Sequence, residues 1–103
     1  MRTEKEMTRD EILKKLEENS ETIRGFGVRR LGIFGSYARD EQTDASDMDF
    51  LVEFDEATFD NYFDLKFFLE DLFVRPVDLV FADTIKPRIR STILEETIYA
   101  QGF

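Results

Sequence analysis

The chain has 103 residues, enough for one domain of ordinary size and too few for a second independent core, so residues 1–103 are read as a single domain. It contains no cysteine and no histidine, which excludes disulfides, zinc sites of the usual Cys/His kind, thiolate nucleophiles and His-based acid/base triads. Acidic side chains outnumber basic ones 23 to 14, and a formal charge of -9 disfavours nucleic acid as a direct partner, while an apolar share of 42% without a long uninterrupted run excludes both disorder and a membrane span.

The opening residues, Met1 to Glu6, have no apolar signal core, so the cytoplasm is the expected location. Thr8-Arg9-Asp10-Glu11 is a capping-box pattern, and Ile12, Leu13 and Leu16 follow at helical spacing. An amphipathic helix is expected over Thr8 to Asn19, with the periodicity carrying on to Ile23 and Gly25-Phe26-Gly27 stopping it. Val28 to Phe34 reads as a strand, and Ser36 to Asp40 as a short helical turn entered from that strand. Glu41 to Ser46 is a polar loop.

Met48 to Phe54 alternates as a second strand, with Asp49, Leu51 and Glu53 on one face and Met48, Phe50, Val52 and Phe54 on the other. Pairing with Val28 to Phe34 is expected. Thr58 to Phe73 forms a helix whose Tyr62, Leu65, Leu69, Leu72 and Phe73 share a core-facing side. Phe63 and Phe67 lie toward its polar side with Asp60, Asp64 and Asp71; they either flank the core, meet a neighbouring helix or contact a partner. Val77 to Phe81 is a third strand, apolar except for Asp78, and Ile85, Ile89, Ile93 and Ile98 mark a final helix with Pro87 near its first turn. The scattered cations Arg24, Arg29, Arg30, Lys86, Arg88 and Arg90 read as solvated surface.

Three features coincide along this order: a Gly-Ser at a strand end, an Asp-x-Asp entering the next strand, and one Asp inside a third. Side chains at i and i+2 of a strand lie roughly 6.5 to 7 Å apart on one face, so Asp47 and Asp49 project side by side. Such carboxylates repel one another, more so if Asp78 faces them from a neighbouring strand. An all-oxygen donor set favours Mg²⁺ or Mn²⁺. Magnesium commonly shares its coordination with substrate phosphates, which calls for a polyphosphate ligand. Gly35 admits a phosphate close to the backbone, the Ser36 hydroxyl and the free amides after it can donate to phosphate oxygens, and Arg39 can add charge-assisted hydrogen bonds.

Gly35-Ser36, ten residues, then Asp47-Met48-Asp49 closely resembles the signature of the polymerase-beta-like nucleotidyltransferases. Phe34-Gly35-Ser36-Tyr37-Ala38-Arg39 and Ser46-Asp47-Met48-Asp49-Phe50-Leu51-Val52 are similar to the minimal members of that superfamily, and Asp78 matches their third carboxylate. The resemblance spans roughly residues 10 to 99. It implies an α/β (α+β) nucleotidyltransferase fold, a small mixed sheet flanked by helices. It also implies two Mg²⁺ ions on Asp47, Asp49 and Asp78, and transfer of a nucleoside monophosphate, with ATP as the substrate, onto a hydroxyl. Asp78 would help activate the acceptor hydroxyl. Ser46, in the matched segment, joins Gly35, Ser36 and Arg39 as a phosphate-binding candidate. One departure is Asp40, where many minimal relatives carry Gly; it adds negative charge near the proposed phosphate path.

Nothing in the chain supplies an acceptor pocket of its own. The resemblance implies the antitoxin half of a toxin–antitoxin pair, in which AMP is placed on a tyrosine of a HEPN-type ribonuclease toxin; an acidic surface suits a basic ribonuclease. Alternatives are a regulatory module that binds toxin or nucleotide without turnover, and transfer to a small molecule such as an aminoglycoside. A homo- or hetero-oligomer fits either leading reading.

Overall fold

The computed structural model describes residues 7–43 and 46–103. Helix α1, Arg9–Glu18, begins at the expected capping box: the Thr8 hydroxyl accepts from the Glu11 amide at 3.2 Å and the Glu11 carboxylate accepts from the Thr8 amide at 2.9 Å. Ile12 and Leu16 are fully buried. The periodicity continues to Ile23, but the helix does not. At Asn19 the side-chain amide donates to the Lys15 carbonyl at 2.8 Å, competing for an acceptor of the helical ladder, and a separate helix α2, Ser20–Arg24, carries Ile23 into the core.

Strands β1 (Val28–Phe34) and β2 (Met48–Phe54) pair antiparallel, as expected, and β3 (Val77–Phe81) lies parallel to β2. The parallel connection needs a crossover, supplied by helix α3, Phe59–Phe73, which starts at Thr58 with its hydroxyl accepting from the Asn61 amide. A 3₁₀ turn, Ala82–Thr84, leads to helix α4, Pro87–Glu96. The final helix ends there: Ile98 belongs instead to a short strand β4, Ile98–Tyr99, antiparallel to β1. Gly32 permits that pairing, because a Cβ on it would press on the Ile98 carbonyl and the Thr97 side chain. The mixed sheet has the order β3-β2-β1-β4.

The alternation of β2 divides the apolar residues between two sides. Met48, Phe50, Val52 and Phe54 join Ile12, Leu16, Leu65 and Leu69 in the main core under α1 and α3. Leu51 faces the other way, onto Ala82 and Ile85, with Val80, Ile93 and Tyr99 packed around them. Asp49 shares the Leu51 side, so the acidic residue emerges beside α4 and away from the main core.

Helix α3 buries Leu65, Leu69 and Phe73, with Tyr62 and Leu72 half-buried against the same core. Phe63 flanks the core, edge-on to Tyr62 with ring centroids 5.2 Å apart, and neither Phe63 nor Phe67 is among the residues buried in it. They are 43% and 58% exposed and, with Phe59 at 82%, form a stacked aromatic stripe with ring centroids 6.1 and 6.0 Å apart. No helix among the described residues is long and apolar enough to cross a membrane.

Candidate active site

The turn after β1 carries Gly35 through a left-handed conformation (φ 78°), and a Cβ there would collide with the Asp49 carboxylate. Glycine is therefore required by contact with the aspartate as well as by backbone angle. Residues 35–40 form a tight helical turn rather than a helix: the Ala38 and Arg39 amides both donate to the Gly35 carbonyl, and the Glu41 amide closes onto Ser36 at 2.8 Å. The Arg9 guanidinium braces this turn through the Ala38 carbonyl at 3.2 Å.

Asp49 and Asp78 are register partners on the parallel β2–β3 pair, so their side chains leave the same side of the sheet on adjacent strands. Burial first, and then the charges of Asp78, Asp47 and Glu96, push the Asp49 carboxyl up to about 6 against the pull of Arg39. Asp47 precedes β2 and is exposed; Asp78 is exposed on the edge strand.

That edge is held from α3. Lys66 Nζ donates to the Val77 carbonyl at 3.1 Å, Glu70 accepts from the Val77 amide at 3.1 Å, and the Tyr62 hydroxyl donates to the Leu79 carbonyl at 3.0 Å. Residues 62, 66 and 70 lie one turn apart, so one stripe of the helix satisfies the outward backbone groups on both sides of Asp78. These three residues fix where Asp78 stands, and sequence reading did not single them out for it.

Glu96, on the last turn of α4, is a second residue that sequence reading missed. One carboxylate oxygen accepts from the Gly35 amide at 3.2 Å and the other from Arg39 Nη1 at 2.8 Å. Arg39 also pairs with Glu41 at 2.9 Å, and the hydrogen bonds to Glu41 and Glu96 raise its pKa further. A signal existed: Glu95-Glu96 ends a helix that has no basic residue in its last turn, against the preference of the macrodipole.

Ser36 lies in the turn beside Gly35. Ser46 is turned to its own loop, where its hydroxyl accepts from the Thr43 amide at 2.9 Å and its carbonyl accepts from Arg75 at 3.0 Å. Asp40 adopts φ 56°, the left-handed region that suits the glycine of many relatives, and its carboxylate turns away to the start of α1, accepting from the Arg9 amide at 3.2 Å. Its charge is thereby directed onto Arg9. Arg29 and Arg30 both pair with Glu53, and Arg30 also stacks on Tyr99.

The donor set fits a hard divalent cation. It is all oxygen, and an opposite charge would relieve the penalty on ionised Asp49. Among the described residues no three Asp or Glu side chains form a group that could hold a metal ion, so the structure does not gather the expected Asp47, Asp49 and Asp78 into one ligand set. An open pair suits magnesium, which usually takes one or two carboxylates and completes its shell with water and phosphate oxygens.

Comparison with known proteins bears on the family and the fold. A family model for the nucleotidyltransferase domain matches residues 9–100. The protein adenylyltransferase MntA of Thermococcus cleftensis is 39% identical over 95 residues, covering 90% of this chain and 96% of its own length. A Methanocaldococcus jannaschii protein, provisionally named a protein adenylyltransferase, is 47% identical over 76 residues, 72% of this chain and 78% of its own. Among solved structures, one provisionally described as a minimal nucleotidyltransferase superposes with a TM-score of 0.77 at 34% identity, covering 89% of this chain and 95% of that one. A chain of a toxin–antitoxin crystal structure with AMP-PNP shares the fold at a TM-score of 0.65 and 20% identity, over 94% of this chain and 75% of that one.

Proposed function

Because the chain belongs to the nucleotidyltransferase domain family of enzymes, we propose that it transfers AMP from ATP to a tyrosine hydroxyl of a partner HEPN-type toxin and thereby acts as an antitoxin. The observation that carries this reading is the convergence of the Gly35 turn on Asp49, with Asp78 directly across the β2–β3 ladder. A phosphate cradle and a pair of cation-binding carboxylates then share one spot. The name of the Thermococcus relative, a protein adenylyltransferase, supports AMP as the group moved and a protein as its acceptor.

In this reading the Gly35 and Ser36 turn and Arg39 bind the triphosphate, while Asp49 and Asp78, joined by Asp47, would hold magnesium. When bound, magnesium supplies Lewis-acid stabilisation of charge on the phosphate oxygens. The acceptor hydroxyl oxygen attacks the α-phosphorus, the bond from that phosphorus to the bridging oxygen breaks, and pyrophosphate leaves with the electron pair. Asp78, exposed at the sheet edge, takes the hydroxyl proton. Asp78 is exposed, as reach by a protein tyrosine requires.

The test is labelled ATP with magnesium and a purified HEPN-type toxin from the same source as this chain. Wild type is expected to label that partner with AMP, and Asp47→Asn with Asp49→Asn to abolish the label. Labelling that survives the double substitution would show the site to be elsewhere. Loss of the label with full retention of toxin neutralisation would favour an antitoxin that works by contact alone.

A further inference from the structure

We propose that Glu96 is a built-in stand-in for a phosphate group: it occupies the Gly35 and Arg39 donors when no nucleotide is bound and must yield them to the incoming triphosphate, so that it sets nucleotide affinity. This rests on the nucleotide reading of the site.

The contacts are those a phosphate would make. Two oxygens of one anion span a backbone amide in a glycine turn and an arginine guanidinium, at 3.2 and 2.8 Å. The Gly35 amide has one hydrogen and cannot serve Glu96 and a phosphate oxygen together. Arg39 has Nε committed to Glu41 and Nη1 to Glu96, and its remaining hydrogens on Nη1 and Nη2 can still meet a phosphate, so the exclusive competition is for the single hydrogen of the Gly35 amide. Of the two, Glu96 also holds the Gly35 amide. Its departure frees both donors in one step.

The location of Glu96 makes that exchange easy. A carboxylate on the last turn of a helix sits at the negative end of the macrodipole, and α4 has no basic residue there to compensate. Its side chain is 24% exposed, so it can rotate to water without leaving a buried charge behind. It also faces Asp49, whose charge opposes it. Among the described residues only the two cradle contacts offset these costs, and a triphosphate carrying its own cations offers the same donors a stronger anion. While Glu96 is in place it keeps Arg39 paired and the turn ordered in a site otherwise crowded with carboxylates.

A residue that merely shaped the cradle would weaken nucleotide binding when removed; an internal competitor does the reverse. Calorimetry with ATP and magnesium, and separately with tripolyphosphate, on wild type, Glu96→Gln and Glu96→Ala is expected to show binding tightened about three- to ten-fold in both variants. Thermal melting of each variant checks that the fold is retained. In ¹⁵N spectra the Gly35 amide is expected to move on Glu96→Ala, and at saturating tripolyphosphate to reach the same position in wild type and in Glu96→Gln. Equal or weaker binding in folded variants, or a wild-type Gly35 amide that stays at its ligand-free position at saturation, would overturn the exchange while leaving the nucleotide site standing. Failure of wild type and both variants to bind either probe would overturn the site and the exchange together.

Discussion

Asp49 and Asp78 stand directly opposite one another on the parallel β2–β3 pair. Strands in such a pair are about 4.8 Å apart, so two ionised carboxylates on one face are held within repulsive range by the backbone itself. Burial and the charges of Asp78, Asp47 and Glu96 raise Asp49 from 3.8 to about 6, with Arg39 opposing. A carboxyl raised in the folded state binds its proton more tightly there than in the unfolded chain. Its contribution to stability is therefore full below about pH 4 and lost as pH rises to about 6, with little further change above. In EDTA, Asp49→Asn is expected to gain stability over wild type progressively across that window, read from urea midpoints at a series of pH values. Magnesium should narrow the gap near neutral pH. A difference between the two proteins that is flat with pH would contradict this account of Asp49.

The Lys66 and Glu70 pair bears on the same aspartate from the other side. Both backbone groups of Val77, the residue before Asp78, are taken by these side chains, which leaves little freedom in where the carboxylate points. Lys66→Met with Glu70→Gln is expected to cost about 1–2 kcal/mol of stability through the lost charged hydrogen bonds. The functional effect should fall on the rate of AMP transfer, with the dissociation constant for ATP almost unchanged, because the cradle at Gly35 and Arg39 is untouched. Single-turnover labelling and calorimetry separate the two. Equal loss in both would mean that the clamp supports the whole site rather than Asp78.

Much of this site was legible because its parts are local. The capping box at Thr8, the alternation of Met48 to Phe54 and the spacing from Gly35-Ser36 to Asp47 and Asp49 lie within short stretches of chain, each with its own physical signature. What escaped was tertiary. Glu96 meets Gly35 across 61 residues, and its pairing exists only once α4 has folded over the Leu51 side of the sheet. Lys66 and Glu70 gain their role only through the neighbouring edge of β3, which no local pattern announces. Ile98 extended an isoleucine spacing of helical type, and only Gly32 on β1, bare enough to accept a close strand, turns it into β4.

Among the described residues two that are not glycine hold left-handed backbone, with different consequences. Val74 caps α3 at φ 55°, is exposed, and is β-branched, so Val74→Gly is expected to raise stability by about 1 kcal/mol. Asp40, at φ 56°, regains part of that cost through its contacts with the Arg9 amide and guanidinium. Asp40→Gly should therefore change stability by less than about 1 kcal/mol and leave ATP affinity as it was. Denaturant titration of both variants checks the contrast. A marked gain in ATP affinity in Asp40→Gly would show that its charge reaches the phosphate path after all.

The aromatic stripe on α3 lies apart from all of this. Phe59, Phe63 and Phe67 stack along one line, and Ala57, Thr58, Tyr62 and Phe81 join the first two around an apolar groove of about 310 Å³. Asp60, Asp64 and Asp71 flank the stripe, so two copies of this chain meeting there would bring like charges together, whereas a basic partner would find both apolar area and opposite charge. A basic toxin of the kind proposed above would be such a partner. Phe63→Ser with Phe67→Ser removes exposed rings and is expected to alter stability by less than about 1 kcal/mol. Loss of two aromatic anchors should weaken toxin binding at least about ten-fold. AMP labelling should fall at limiting toxin and recover at high toxin concentration, since the chemistry lies beyond the other side of the sheet. Unchanged toxin affinity in the folded double variant would remove the stripe from the interface and leave its exposure unexplained by this partner.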